Sequence, residues 1–225
     1  MAKHKILYIP DTHFPFVDKK ALKKVYDLIK IEKPTHIIQA GDLLDLYSFS
    51  RYEKDANYTT PKTEIEQGLE QAKEMWTTIK KLAPKAKCYH LIGNHEDRLS
   101  KTIAKKAPEL AGFVTTIQDM YKFKGVKVLN SSKEHLELYG VIYCHGHYTK
   151  LGDHAKFYGK PVVHGHSHRI GIWYEQYDKT LLWEMDTGYL ADESALPLQY
   201  TAVKYSKWTK AVGIVENGQP RIITL

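Results

Sequence analysis

Apolar residues recur along this chain with two different periods, and the switches between them outline its elements. Residues 6–9 form a continuous apolar run of the length of a buried strand. Asp18 stands where a helix cap belongs, and Ala21, Leu22, Val25, Leu28 and Ile29 then repeat at helical spacing until Pro34. A second strand is predicted over 36–40, and a long polar and aromatic connection follows over 46–61. Thr63 and Glu66 have capping-box spacing. The helix they predict puts Ile65, Leu69, Ala72, Trp76, Ile79 and Leu82 on one face and ends before Pro84. A third strand is predicted over 88–92 and a helix over 96–106, broken near Pro108. Strand and helix in alternation imply a largely parallel sheet with helices on its faces.

The last third has another rhythm. Strand-like runs occur at 135–138, 141–144, 161–164, 171–177, 181–185, 198–208 and 211–215. Asn217-Gly218 is a hairpin turn signal before a final strand over 221–225. This pattern predicts a second, more antiparallel sheet packed on the first as a sandwich. No repeat, low-complexity tract or Pro/Gly/Ser linker divides the chain, so one domain over 1–225 is expected.

Composition agrees with a globular domain: 43% of residues are hydrophobic and 26% charged, which excludes a disordered or fibrous chain. Cys88 and Cys144 each lie in an apolar run and read as buried free thiols, not as a disulfide framework. The apolar stretch before Pro10 is too short for a signal-peptide core. No apolar run approaches the roughly 18 residues that span a bilayer. A soluble, cytoplasmic protein with no membrane partner is expected, and its oligomeric state is left open. Thirty-three basic against 26 acidic residues give +7, which favours an anionic partner. The lysine pairs at 19–20, 23–24, 80–81 and 105–106 fall mostly on predicted helices and read as solvated faces.

The 12 histidines change the picture more. Five predicted strands end in residues able to bind metal: Asp11-Thr12-His13, Gly41-Asp42, Gly93-Asn94-His95-Glu96, His145-Gly146-His147 and His164-Gly165-His166-Ser167-His168. In open α/β sheets, ligands bind at the carboxyl ends of strands. Asp11 and His13, like His166 and His168, are two residues apart, so in extended backbone each pair points one way. Asp, Asn and His together suit manganese, iron, zinc or nickel, and carry too much nitrogen for calcium or magnesium. The candidates outnumber the ligands of one four-coordinate site, so two divalent metal ions are the economical reading. Paired ions about 3.5–4 Å apart promote displacement at phosphorus. His147 competes with His145, and His164 reads as a supporting or packing residue. The bland reading, ordinary loop polar residues, requires coincidence at all five strand ends.

In this order, from Asp11 to His168, the five blocks resemble the calcineurin-like metallophosphoesterase family, in particular its small bacterial and phage members. The resemblance implies an α/β fold: a β-sandwich of two mixed sheets flanked by helices. It implies that Asp11, His13 and His168 hold one metal, that Asn94, His145 and His166 hold the other, and that Asp42 bridges both, with Mn2+ expected first. His95 would contact the phosphate and stabilise or protonate the leaving oxygen, while a metal-bridging hydroxide attacks. Asp11 is a candidate for orienting His95, and Arg98 for reaching substrate phosphate; Arg98 pairing with Glu96 or Asp97 is the alternative. The implied activity is hydrolysis of phosphomonoesters or phosphodiesters. Leu46-Tyr47 stands where the family's protein serine/threonine phosphatases carry Arg-Gly, which argues against that branch.

Two other readings remain. One is a nuclease of the same superfamily, with nucleotide or nucleic acid as substrate. The +7 charge favours it, as does the aromatic segment after Asp42, where Tyr47, Phe49, Tyr52 and Tyr58 lie among Arg51 and Lys54. Residues 147–160 are a second basic and aromatic segment. The other reading is a metal-bound scaffold without turnover.

Overall fold

In the computed structural model, which describes residues 4–51, 58–195, 198 and 207–225, strand β1 (Lys5–Ile9) runs between two cores. Leu7 and Ile9 face one and Ile6 and Tyr8 the other, as the two-residue period of a strand requires. The first core lies beneath α1 (Lys19–Glu32) and α2 (Pro61–Leu82), which bury Val25, Ile29, Met75, Trp76 and Ile79 there. The second fills the space between two sheets, where Tyr8, Ile38 and Leu91 meet Tyr143, Val163 and Met185.

The first sheet contains β2 (His36–Gln39), β3 (Lys87–His90) and β4 (Val126–Val128), laid parallel to β1 in that order. The second contains β5 (Leu136–Leu138), β6 (Val141–Tyr143), β7 (Val162–His164), β8 (Ile170–Tyr177) and β9 (Thr180–Thr187), in the order β5-β6-β7-β9-β8. Its inner pairs β6–β7 and β7–β9 are parallel and its edge pairs antiparallel. Short helix α5 (Asp153–Tyr158) covers its outer side, with Ala155 against Ile142, Cys144 and Val162. Helices α3 (Asp97–Lys106) and α4 (Ile117–Met120) flank the first sheet. The result is an α/β sandwich of two mixed sheets flanked by helices. No helix among the described residues is long and apolar enough to cross a membrane. Cys88 and Cys144 are buried and free.

Two expectations change, and a third lies mostly outside the described residues. The hairpin of β10 (Ala211–Glu216) and β11 (Gln219–Thr224) joins the first sheet beside β1, not the second. Its β10 strand carries Val212 and Ile214 toward one core and Val215 toward the other, which only an interior position between two layers satisfies. The strand predicted over 198–208 lies mostly outside the described residues. The start of α2 also moves. Pro61 has no N–H to leave unpaired and occupies the first turn, so Thr60 is the cap and accepts the Thr63 N–H. The buried face of α2 also includes Glu64 and Gly68, and Ile65 and Leu69 sit at its border.

Parallel β1, β2 and β3 deliver the residues that follow them to one edge of the first sheet. Parallel β6 and β7 deliver theirs to the facing edge of the second. Five strand ends therefore meet.

The cap assignment is checked by urea unfolding. Thr60→Ala is expected to lower stability by about 1 kcal/mol, and Thr63→Ala to change it little, since alanine suits a helix interior. Equal losses would restore Thr63 as the cap.

Candidate metal centre

Two groups of donor atoms face each other across this junction. In the first, His13 Nε2 lies 3.1 Å from His168 Nε2, which lies 3.2 Å from Asp11 Oδ2. In the second, His145 Nε2 is 3.0 Å from Asn94 Oδ1, 3.4 Å from Asp42 Oδ2 and 3.3 Å from His166 Nδ1. Asp42 is within ligand reach of His13 and His95 on one side and of His145 and His166 on the other. His147 does not enter either group: its exposed ring packs on Tyr148 and His154.

The backbone here is strained. Among the described residues nine non-glycine positions have positive φ, and His13, Asp42, His166 and His168 are four of them. The left-handed region costs an L residue roughly 1–2 kcal/mol. Concentration at one place marks a functional site when surrounding bonds enforce it. They do so here. His13 N–H donates to Asp42 O, Asp42 N–H to Glu96, His166 N–H to Asp11 Oδ2, and Thr209 N–H to His168 O.

The donor set fits cations. His145 Nδ1 donates to Ala40 O at 3.1 Å, so its Nε2 lone pair faces two oxygen acceptors, Asn94 Oδ1 and Asp42 Oδ2. A positive charge at that point resolves the conflict. Burial would lower the His145 pKa, but Asp42 and Asp11 carry it up to about 10, so a proton fills that place when no metal does. Asp11 Oδ1 and His168 Nδ1 are buried without a hydrogen-bond partner. Burial opposes ionisation of Asp42, yet the charge on His145 beside it holds its pKa well below the carboxylate norm.

Three carboxylates that no spacing rule singles out support these groups. Glu96, fully buried, accepts the N–H groups of Asp42, Leu43 and Gly93 at 2.7–3.1 Å and the Tyr121 hydroxyl at 2.9 Å. Burial and the Asp42 charge push its pKa up to about 7. Asp45 approaches His13 Nδ1 at 3.0 Å, and its backbone oxygen accepts His95 Nδ1–H at 2.8 Å, so Asp45 and not Asp11 orients His95. Arg98 donates to the same Asp45 oxygen and approaches His95 Nε2 at 2.6 Å, in place of the Glu96 or Asp97 partners considered from sequence. Glu184 Oε1 accepts from His154 Nδ1 and His164 Nε2, and its Oε2 from Ala155 N–H. His154 Nε2 accepts two backbone N–H groups and His164 Nδ1 donates to Gly165 O, so hydrogen bonds alone account for this third cluster.

A cavity of about 760 Å³ opens over the centre, with Asp42, Asn94, His95, His166 and His168 on its wall. Ser48, Phe49, Ser50 and Arg51 line it, whereas Tyr52 and Lys54 lie outside the described residues. Among its described lining residues none comes from 147–160.

Fold and donor set define the class: an α/β sandwich with a carboxylate–imidazole metal site where its strand ends meet. The sequence profile of the calcineurin-like phosphoesterase family matches residues 4–185, and the chain belongs to that family. The gene 54 proteins of mycobacterium phages D29 and L5 are 31% and 30% identical to it over 150 residues, 64% of this chain and 56% of theirs. The chain thus spans a little over half the length of these curated relatives. Among solved structures, Yfce, a phosphoesterase from E. coli, aligns with 98% of this chain and 92% of its own, at 13% identity and TM-score 0.48. Vacuolar Protein Sorting 29 from Cryptosporidium parvum aligns with 99% and 97%, at 11% identity and TM-score 0.49.

Glu96→Gln tests the carboxylate clamp. The glutamine NH2 must face a backbone N–H, leaving a buried donor unpaired at about 1–3 kcal/mol. Urea unfolding of the metal-free protein should show that loss; an unchanged midpoint would remove Glu96 from the clamp.

Proposed function

We propose that the protein is a phosphoesterase working with two divalent metal ions, and that it hydrolyses phosphomonoesters or phosphodiesters. The observation that carries this reading is the pair of facing donor groups with Asp42 in reach of both. In this reading Asp11, His13 and His168 hold one ion, Asn94, His145 and His166 the other, and Asp42 both. Manganese is expected first, with iron, zinc or nickel suited to the same donors. Bound ions supply a water of lowered pKa and neutralise charge on the phosphoryl oxygens.

The chain's own groups do the rest. Asp45 beside His13 Nδ1 leaves Nε2 turned to the metal, and Ala40 O does the same for His145. The Arg98 guanidinium lines the cavity, where its planar fork suits phosphate oxygens. Burial lowers the His95 pKa to about 3, so the ring is neutral, its Nδ1–H committed to Asp45 O and its Nε2 accepting from Arg98. Service to the leaving oxygen therefore has a condition. Arg98 transfers to the phosphate, and the substrate's negative charge stabilises a proton on Nε2.

Metal analysis and kinetics test this together. Protein reconstituted with Mn2+ should bind two ions per chain and hydrolyse an aryl phosphate ester, and a chelator should abolish both. His166→Ala and His168→Ala should each lose one ion. Asp42→Ala that still hydrolyses the ester at the wild-type rate would overturn the reading, and two bound ions without turnover across a broad ester panel would establish a scaffold instead. His95→Ala separates chemistry from metal binding. It should keep both ions while kcat falls about 10²–10⁴-fold, the usual contribution of a positioned acid.

A further inference from the structure

We propose that the outer face of α3 carries the flanking phosphates of a single-stranded nucleic acid whose scissile phosphate lies at the metal centre. This rests on the phosphoesterase reading and names its substrate.

The face follows from how α3 packs. Leu99 and Ile103 turn inward to the first core. The positions at 98, 101, 102 and 105 then share the opposite stripe, by the i, i+3, i+4, i+7 spacing of one helix face. Arg98, Lys101, Thr102, Lys105 and Lys106 all line the cavity that holds Asp42 and Asn94. The lysine pair at 105–106, read from sequence as solvated, thus borders the site. The pairs at 19–20, 23–24 and 80–81 are absent from that lining, so this cluster is more than a share of the net charge.

Length decides between one phosphate and several. From Arg98 to Lys105 the helix rises ~10 Å at ~1.5 Å per residue. A lone phosphate held at the metals beside Arg98 leaves Lys105 a further ~10 Å along the helix. The cations beyond Arg98 therefore match further phosphates of the same chain. Lys101 Nζ lies 3.3 Å from Asp97 Oδ2, but Lys101 is solvent-exposed (68%) and Asp97, 25% exposed, also accepts from Ser132. Such a pair is worth only ~0–1 kcal/mol, so a phosphate can replace Asp97.

Ring surface completes the argument. Phe49 and Trp208 line the same cavity, and Glu64 holds the turn carrying Phe49 by accepting the N–H groups of Tyr47 and Ser48. A cationic track with aromatic faces binds single strands with little sequence preference. The floor is recessed, with Asp42 and His168 only 1% and 8% exposed, which suits a flexible single strand better than a rigid duplex. Cleavage adds the hydroxyl of water to phosphorus and breaks one P–O bond, and the departing strand end takes up the proton as an alcohol.

The test compares a 12-nucleotide single-stranded DNA with bis(4-nitrophenyl) phosphate on the Mn2+-loaded full chain. Lys101→Gln/Lys105→Gln, exposed positions where glutamine keeps the helix, should lose at least tenfold more kcat/KM on the oligonucleotide than on the aryl diester, through KM. Its log–log salt slope on the oligonucleotide should be shallower by about 1.4, for two lost phosphate contacts at about 0.7 each. Equal losses on both substrates, an unchanged slope, or a preference for duplex or mononucleotide over the strand would overturn the proposal. So would a wild type that cleaves the aryl diester but not the strand, and the phosphoesterase reading would then survive. Cleavage of an aryl phosphate monoester alone would also overturn the proposal; if that ester too is left intact, the phosphoesterase reading fails, and anisotropy of a labelled strand judges the track. Binding that weakens in the double variant with the same slope change supports it, and no binding, or binding unchanged by the substitutions, overturns it.

Discussion

The site depends on one buried carboxylate, that of Glu96. It gathers N–H groups from the loop after β2 and from the loop after β3, and so ties two adjacent strand ends together. The fit is close. A Cβ on Gly41 would lie 2.4 Å from Gly93 N, and a Cβ on Gly93 would lie 2.1 Å from Asp42 Oδ1. Glycine at both positions and the carboxylate between them are parts of one solution. Asp42 is held at positive φ because its own N–H is committed to Glu96, and its Oδ1 in turn accepts the His95 N–H. Because α3 begins at the next residue, the clamp also sets the cationic helix face against the metal floor.

Glu184 plays the matching part in the second sheet. It binds His154, His164 and Ala155, and His164 passes the constraint to Gly165 at the foot of the loop bearing His166 and His168. A buried carboxylate is expensive unless donors surround it. Here each has three or more, and the donors are the loops that need fixing. Desolvation is thereby converted into loop order on both sides of the centre.

What was legible in the sequence follows from this division of labour. Ligands must sit just past strand ends, and Asp, Asn and His are conspicuous after apolar runs, so Asp11, His13, Asp42, Asn94, His145, His166 and His168 could be picked out. The structure brings them into two groups. Glu96, Asp45 and Glu184 bind backbone or ring nitrogens of distant segments, and a single carboxylate doing so has no characteristic spacing. Glu96 lies inside the Gly93-Asn94-His95-Glu96 block, but no spacing there points to its clamp on the loop after β2. The predicted face of α2 packs on the core, and Glu64 and Gly68 join it for reasons that hydrophobicity does not register: two backbone donors, and close approach to Leu44. The β10–β11 hairpin was visible as a hairpin, but its partner strand lies at the other end of the chain. Local pattern does not say which sheet a hairpin joins. Lys105 and Lys106 looked solvated because a helix sequence separates its polar from its apolar side without saying what faces the polar side.

The charge of the molecule has opposite signs at two depths. Asp11, Asp42, Asp45 and Glu96 are all at most 2% exposed and lie where the strand ends meet. Arg51, Arg98, Lys101 and Lys105 lie around the mouth. The outer cations attract an anion toward the cavity, whereas the buried carboxylates alone would repel it. Coulomb repulsion in a buried setting is strong, and although Arg98 reaches inward to Asp45, Lys101 and Lys105 lie further along α3, so the rim leaves most of that repulsion in place. Only positive charge at the floor itself changes that sign, and the imidazole nitrogens converge where such charge would sit. The +7 of the whole chain therefore explains attraction at a distance and nothing about chemistry. The buried, locally negative centre is what makes cations a requirement, and the rim then decides which anions come within reach of them.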